Sequence, residues 1–181
     1  MIINRSWAMP NKYTFSIAPI REFIGKYLKD GMVSIDPYSG KSVIATHRND
    51  LSKDSPSQFH IEANDFLKKM IESEIIADLI LIDPPYSPRQ IKECYKSIGK
   101  KTTQEDCQNS RIASERNTLI DKLTKPGSIV LSFGWNSCGV GVKYGFKIEE
   151  ILLVCHGASH NDTICTMEVK QITTMDLFES L

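Results

Sequence analysis

Apolar residues along the chain fall into short continuous runs that alternate with stretches in which they recur at helical spacing. The runs cover residues 32–36, 75–82, 128–133, 146–155 and 162–169. Runs of this length between turn residues are typical of buried β-strands. The helical stripes comprise Ile20, Phe23, Ile24 and Leu28, then Ala63, Phe66, Leu67, Met70 and Ile71, then Ile112, Leu119, Ile120 and Leu123. The alternation predicts an α/β domain with a mostly parallel sheet.

Both ends of the chain depart from this alternation. The last two runs are joined by residues 156–161, which predicts an antiparallel hairpin at the edge of the sheet. Residues 1–16 mix aromatic and polar side chains, and Pro10 interrupts them. We expect an ordered arm there, with a packed strand or coil as the alternative.

The strand that should follow residues 32–36 is open to two placements. The apolar run 43–46 comes almost directly after Gly40, whereas a parallel crossover normally takes a dozen residues or more. Either the crossover helix is lost, or the strand begins later, near residues 47–50. A further short strand is expected over residues 57–61.

Length and composition favour a single domain without a membrane span. The chain has 181 residues, and its 22 lysines and arginines balance its 22 aspartates and glutamates, so a basic surface must be local. Five cysteines and a start unlike a signal peptide predict reduced thiols and a cytoplasmic location. The longest apolar run is far shorter than the ~20 residues of a membrane helix.

The most informative stretch is Asp83-Pro84-Pro85-Tyr86, directly after the run 75–82. Open α/β sheets bind ligands at the carboxyl ends of their strands. Asp83 and Pro84 each precede a proline, so the carboxylate and the Pro84 carbonyl are held rigidly. A planar heterocycle stacked on Tyr86 would direct its amino group at both acceptors, which makes that nitrogen a better nucleophile. These four residues are the predicted catalytic set; the alternative is a plain strand-to-loop turn in which Asp83 caps the next helix.

A related stretch occurs earlier in the chain. Residues 15–24, in which Pro19 starts a helix, precede a strand ending in Asp36-Pro37-Tyr38-Ser39-Gly40. In this order and spacing the two stretches resemble the amino-group DNA methyltransferases, which place a proline-started helix before a strand ending in Asp-Pro-Phe-x-Gly and a later strand ending in Asp-Pro-Pro-Tyr. The resemblance covers residues 14–169 and implies the Rossmann-like fold of S-adenosylmethionine-dependent methyltransferases.

The resemblance also implies a site for S-adenosylmethionine. The matching positions are Phe15, Ser16, Ile17, Asp36, Tyr38 and Gly40, with Asp50 for the ribose hydroxyls and Asp65 and Phe66 for the adenine. A plain turn at Gly40, ordinary loop chemistry at Asp50 and helix capping at Asp65 are the alternatives. The chain departs from the family at Ala18, where members often carry lysine, and in the short connection after Gly40.

The segment 87–117 carries seven basic residues against four acidic ones. Beside the catalytic stretch, such an excess suits a phosphate backbone, although a solvated loop and helix face is the alternative. The predicted nucleic-acid contacts are Arg89, Lys92, Lys96, Lys100 and Lys101, together with Trp135 and Asn136, which follow the run 128–133. Rim packing is the alternative for Trp135.

Three other site types are rejected. Ser39-Gly40-Lys41-Ser42 resembles the end of a P-loop, but Ile35 stands at the required first glycine. The glycines of residues 134–141 lack the spacing of a dinucleotide fingerprint. The spacing of Cys155, His156, His160 and Cys165 matches no standard zinc finger, and no metal site is expected.

Together these observations predict one methyltransferase domain over residues 1–181, without a separate target-recognition domain. By resemblance, it transfers a methyl group from S-adenosylmethionine to adenine N6 in DNA by direct in-line displacement on a flipped base. Short or relaxed sequence specificity is expected, and a homodimer or a separate specificity subunit are candidate partners. The alternatives are an RNA base methyltransferase and a non-catalytic nucleic-acid-binding subunit.

Overall fold

The computed structural model describes residues 1–103, 109–157 and 160–172. In these ranges the chain forms a sheet with helices on both faces. The strands are β1 (Ile2–Trp7), β2 (Ser34–Asp36), β3 (His47–Arg48), β4 (Ala77–Ile82), β5 (Thr124–Gly134), β6 (Phe146–Cys155) and β7 (Thr163–Lys170), and the helices are α1 (Ala18–Tyr27), α2 (Ala63–Glu72), α3 (Pro88–Ser97) and α4 (Asn109–Lys122).

The strand order in the sheet is β1-β6-β7-β5-β4-β2-β3. Neighbouring strands are parallel, except that β7 runs antiparallel to both β5 and β6. This confirms the predicted Rossmann-like α/β class, a mostly parallel sheet with an antiparallel hairpin. The hairpin lies one strand in from the edge, because β1 pairs in parallel on the outside of β6.

The N-terminal arm starts as the edge strand β1 and then returns to the middle of the sheet. The buried His156 imidazole holds the turn: its Nδ1 donates to the Ala8 carbonyl at 2.8 Å, and its Nε2 accepts from the Thr163 hydroxyl at 2.9 Å. Further along, the ring of Phe15 packs on that of Phe133 in β5, with centroids 4.9 Å apart. The arm therefore connects the sheet edge with the carboxyl ends of the central strands.

The connection after β2 shows where the next strand begins, which the sequence left open. Residues 37–46, all of which the structure describes, form turns without a helix, and β3 begins at His47. The crossover helix is thus lost and the strand also starts late. The strand expected over 57–61 was wrong in extent, because only Phe59 makes an isolated bridge, to Asn49.

Two hydrophobic layers attach the helices to the sheet. On one face α1 packs with Leu79 and Leu81 of β4, and on the other α2 and α4 pack with Ala77, Ile80 and Ile82. The first layer includes Ile20, Phe23, Ile24, Leu79, Leu81 and Leu131, and the second includes Phe66, Leu67, Ile80, Ile82, Ile120 and Leu123. A strand covered on both faces is mostly apolar, which explains the run 75–82. Its one polar residue, Asp78, accepts the Val33 amide and pairs with Lys125.

Helix α3 occupies the first part of segment 87–117. Ser87 caps the helix by accepting the Gln90 amide at 3.2 Å, and Pro88 occupies the first turn. Ile91 and Tyr95, four residues apart, are the buried side chains of α3. Residues Glu105, Asp106 and Cys107, which belong to the same segment, lie outside the described residues.

Strand β5 is longer than the run 128–133 because it begins at Thr124, upstream of Pro126-Gly127. Its pairing with β4 shifts register between Ala77 and Leu79. Gly127 has φ +89°, a conformation that glycine adopts readily, so the irregularity is accommodated at this residue.

No helix in the described part of the chain is long and apolar enough to cross a membrane. Within the same ranges, Cys94, Cys138, Cys155 and Cys165 are free thiols.

Candidate active site

Two aspartates stand at the carboxyl ends of neighbouring parallel strands. Asp36 is the last residue of β2, and Asp83 directly follows β4, which pairs with β2. From β2 the chain continues outward to β3, whereas from β4 it continues to β5 on the opposite side. This reversal of strand order is where open α/β sheets form a ligand crevice.

Asp83 and Tyr86 are joined directly. The Tyr86 hydroxyl donates a hydrogen bond to Asp83 Oδ1, and Thr14 of the N-terminal arm also interacts with this carboxylate. Burial raises the pKa of Asp83 to about 6, although the contacts with Tyr86 and Thr14 favour the charged form. Asp83 is therefore ionised above neutral pH, yet it takes up a proton more readily than an exposed aspartate.

The Tyr86 ring is fixed against the end of β5. A Cβ atom on Gly134 would lie 3.1 Å from the ring, so glycine permits the close approach. The Trp135 ring, on a side chain that is 43% exposed, lies with its centroid 5.6 Å from that of Tyr86. The Tyr86 amide donates to Gln90 Oε1 at 2.7 Å. Tyr86 thus contacts both the Asp83 carboxylate and the Trp135 ring.

The Asp36 side chain is fully buried, and one of its two carboxylate oxygens accepts a hydrogen bond. Its Oδ1 accepts the Tyr38 amide at 3.0 Å, whereas its Oδ2 has no hydrogen-bond partner among the described residues. Burial, followed by the charges of Asp83 and Asp50, raises the pKa of Asp36 to about 8. An acceptor left open in a buried position suits a hydrogen-bonding or cationic group from a ligand.

Asp50 lies at the end of β3, but its carboxylate is used within the chain. Oδ2 accepts the Gly40 amide at 3.0 Å, and Oδ1 accepts the Ser52 amide at 2.8 Å. Gly40 has φ +53° at this contact. Asp50 therefore holds the loop that follows β2, in addition to the ribose role that the resemblance implies.

Three residues of the N-terminal arm, Phe15, Ser16 and Ile17, are predicted to contact the cofactor, and they differ in burial. Phe15 and Ser16 lie in the short 3₁₀ turn Thr14–Ser16, where the Ser16 hydroxyl donates to the Tyr13 carbonyl at 2.7 Å. Ile17 is buried in the α1 layer of the core. Of these residues, Phe15 and Ser16 are the ones with accessible surface near Asp83.

The two residues predicted to contact the adenine, Asp65 and Phe66, differ in burial. The Phe66 side chain is fully buried in the core and packs on Phe59, with ring centroids 5.3 Å apart. Its neighbour Asp65 is exposed and forms an ion pair with Lys68 at 3.3 Å. Helical periodicity already places Phe66 in the core stripe, in agreement with its burial, and the adenine contact at Asp65 and Phe66 stays a prediction. Tyr38 is only partly buried and stays at the crevice, beside the second core layer.

The predicted basic residues lie along α3 and the turn that follows it. Two adjoining shallow cavities of about 380 and 520 Å³ are lined by Arg89, Lys92, Glu93, Lys96, Gly99, Lys100, Lys101 and Thr102. Arg89 pairs with Glu93 at 2.8 Å, and Lys100 pairs with Glu62. Neither cavity includes Asp83. The other predicted contact, Asn136, uses its Oδ1 to accept the Cys138 amide at 3.0 Å.

Four residues near this site were missed by sequence reasoning. Thr14 contacts Asp83, Gly134 underlies Tyr86, the positive charge of Arg116 lowers the pKa of Tyr86, and Glu168 binds the loop after β5. Burial and the Asp83 charge outweigh Arg116 and raise the pKa of Tyr86, so its hydroxyl remains a donor. Of these four residues, only Gly134 could have been recognised in the sequence, because it is a turn residue at the end of an apolar run.

No protein-family model matches the chain, and no curated protein matches it. Solved structures are similar. They include SMU.776 complexed with SAH (TM-score 0.57, 11% identity, covering 84% of this chain and 48% of that chain), TrmN from Thermus thermophilus (0.56, 14%, 85% and 49%) and the SAM-dependent methyltransferase from Agrobacterium tumefaciens (0.51, 10%, 83% and 60%). The chain spans about half the length of the first two. The likeness shows a fold that is shared with a SAM-dependent methyltransferase.

Proposed function

We propose that the chain is an S-adenosylmethionine-dependent methyltransferase that acts on the N6 amino group of adenine in DNA. The observation that carries this proposal is the grouping of the Asp83 carboxylate with the rings of Tyr86 and Trp135 at the carboxyl ends of β4 and β5. A hydrogen-bond acceptor beside two aromatic rings suits a planar base that carries an amino group.

The cofactor fits the crevice beside β2. Asp36 Oδ2 is a buried acceptor that lacks a partner in the described chain, and the cofactor carries an ammonium group. Phe15, Ser16, Tyr38 and Gly40 would complete its surroundings. S-adenosylmethionine supplies a methyl group activated by the positive sulfur. SMU.776 is complexed with SAH in a similar fold, which supports this choice of cofactor.

Asp83 has two tasks in this proposal. Its carboxylate and the Pro84 carbonyl accept the two N–H bonds of the amino group, which orients the nitrogen lone pair. The methylated nitrogen must lose a proton, and a carboxyl with a pKa of about 6 is suited to receive it near neutral pH. Because the Tyr86 hydroxyl now occupies Asp83 Oδ1, Tyr86 must release the carboxylate before it stacks on the base.

DNA would approach along α3. The cavities beside Lys92 and Lys96 lie along α3, the helix that directly follows the catalytic stretch in the sequence. Lysines at such positions track phosphates and contribute affinity without reading sequence. We therefore propose relaxed specificity within a single domain, and we propose that any stricter recognition comes from a second copy or a separate subunit.

The test is methyl transfer by the purified chain with labelled S-adenosylmethionine. Duplex DNA, single-stranded DNA, RNA and no nucleic acid form the four arms, and Asp83→Ala is the matched negative control. We expect label in DNA, recovered as N6-methyladenine. Label in RNA alone would replace DNA with RNA as the substrate, and nucleic-acid binding without transfer in any arm would support a non-catalytic subunit.

A further inference from the structure

A buried carboxylate of β7 binds the loop that follows β5. Glu168 is fully buried, and its two oxygens accept consecutive backbone amides: Oε2 from Val140 at 2.7 Å and Oε1 from Gly141 at 2.9 Å. Burial raises the pKa of Glu168, while the two amide hydrogen bonds favour its charged form. The carboxylate is thus committed to one short segment of backbone.

The loop is shaped to receive this carboxylate. Gly139 has φ +58°, and a Cβ atom there would lie 2.2 Å from Glu168 Oε2 and 2.4 Å from Cδ. No side chain larger than hydrogen fits at that distance unless the carboxylate moves. The Val140 carbonyl accepts a further hydrogen bond from Asn117 Nδ2 at 3.3 Å. The far end of the loop is therefore fixed from two sides.

The near end of the loop is fixed as well, because Gly134 ends β5 and underlies Tyr86. Between the fixed ends, the described residues 135–138 are exposed, and Trp135 among them faces Tyr86. A segment this short, held at both ends, restricts where the Trp135 ring can go. Glu168 lies in the interior, away from Trp135, yet it limits the positions of that ring.

We propose that Glu168 is a positioning residue that holds Trp135 as a second aromatic surface of the base pocket, adjacent to Tyr86. This inference rests on the proposed function, since it assigns the pocket to a planar base. A buried carboxylate is seldom the most stabilising choice for a core position, because replacing such charges with apolar residues is often neutral or favourable. Its retention here serves the conformation of the loop.

The test uses the two tryptophans of the chain, Trp7 and Trp135. Trp7→Phe leaves Trp135 as the single tryptophan, so with selective tryptophan excitation the fluorescence anisotropy and iodide quenching report on the loop alone. In this background, Glu168→Gln keeps the shape of the side chain but places an amide donor against one backbone donor. We expect faster quenching and lower anisotropy of Trp135. For DNA we expect kcat/KM to fall about tenfold or more through the lost charged hydrogen bond, while the Kd for S-adenosylmethionine changes less than about twofold.

Two controls separate positioning from general damage. Glu149→Gln removes a charge from the exposed Lys147 pair on the adjacent strand and should leave every readout unchanged. Gly139→Ala acts from the loop side, since its Cβ meets the Glu168 carboxylate, and should reproduce the Trp135 signal even where Glu168→Gln fails to fold.

Unchanged Trp135 quenching in both Glu168→Gln and Gly139→Ala would overturn the inference. So would an equal loss of DNA and cofactor binding, which would indicate a general structural role. The fluorescence readout needs no catalysis, so it remains decisive if methyl transfer itself is absent and the proposed function fails.

Discussion

At the scale of single residues, the tetrapeptide Asp83-Pro84-Pro85-Tyr86 could be read from sequence, but its resting geometry could not. The Tyr86 hydroxyl binds Asp83, and its ring lies against Gly134, which is distant in the chain. Phe66 shows the opposite case, because its helical spacing already placed it in the core. Periodicity predicts burial reliably, whereas side-chain partners depend on tertiary contacts that one sequence does not encode locally.

Asp83→Ala should abolish methyl transfer and leave cofactor binding nearly intact. The change removes an acceptor aimed at the amino nitrogen, and the loss of one oriented interaction of this kind costs about 10² to 10³ in rate. Single-turnover transfer to DNA and the Kd for S-adenosylmethionine, measured side by side, check both halves. Wild-type turnover in this variant would remove Asp83 from the catalytic site.

Tyr86→Phe should be tolerated, whereas Tyr86→Ala should not. Phenylalanine keeps the stacking face, which is worth about 1 to 3 kcal/mol per base, and it frees Asp83 Oδ1. Because the Tyr86 hydrogen bond lowers the pKa of Asp83, its loss should shift the acidic limb of the pH–rate profile upward. An equal loss of activity in both variants would point to a role for the hydroxyl instead.

Asp36→Asn should remove a pH dependence of stability. The folded-state pKa of about 8 lies above the ordinary value of 3.8, so the native state binds the proton more tightly than the unfolded state. Stability from this group is fully present below about pH 4 and is lost as pH rises toward 8. At pH 8 we expect the variant to have a higher free energy of unfolding than the wild type, by a few kcal/mol at most. We also expect its free energy of unfolding, measured with denaturant, to change less between pH 4 and pH 8. A parallel profile in both proteins would contradict the assignment.

At the scale of elements, most strands and helices could be predicted from apolar spacing, and each of the two errors has a local cause. Helix α3 buries little besides Ile91 and Tyr95, so its pattern is faint within a polar segment. Its start was nonetheless encoded in Ser87-Pro88, a cap followed by a first-turn proline. The strand predicted over residues 57–61 is reduced to a single bridge in the structure. It lies next to β3, and a strand of two residues offers few backbone groups for pairing.

Helix α3 also carries a prediction about DNA affinity. Replacing Lys92 and Lys96 with glutamine should weaken binding and flatten its salt dependence by about 0.9 in the log–log slope for each lost phosphate contact. Lys29→Gln with Lys122→Gln removes the same charge at the opposite, amino-terminal edge of the sheet and should change neither quantity. Fluorescence anisotropy of labelled DNA over a salt series measures both. An unchanged slope in the α3 variant would remove these lysines from the interface.

At the scale of the whole molecule, few elements of the described residues lie outside the sheet and its packed helices. Direct sequence readout needs several side chains placed in the major groove on one element, each good contact adding about 1 to 3 kcal/mol of discrimination. On α3, Gln90 is the residue type best suited to read adenine, but its side chain already binds the Tyr86 amide. The remaining exposed side chains of α3 include Arg89, Lys92 and Lys96, of which Arg89 is paired with Glu93.

We therefore expect methylation at sites of at most a few base pairs. Treating a random-sequence DNA library with the purified chain and sequencing the methylated adenines measures the preferred context directly. Confinement to one site of about five base pairs or more would contradict relaxed specificity. The same experiment with Gln90→Ala separates the two roles of this residue: if Gln90 only orders Tyr86, the rate falls and the context stays the same, whereas a changed context would place Gln90 in the groove.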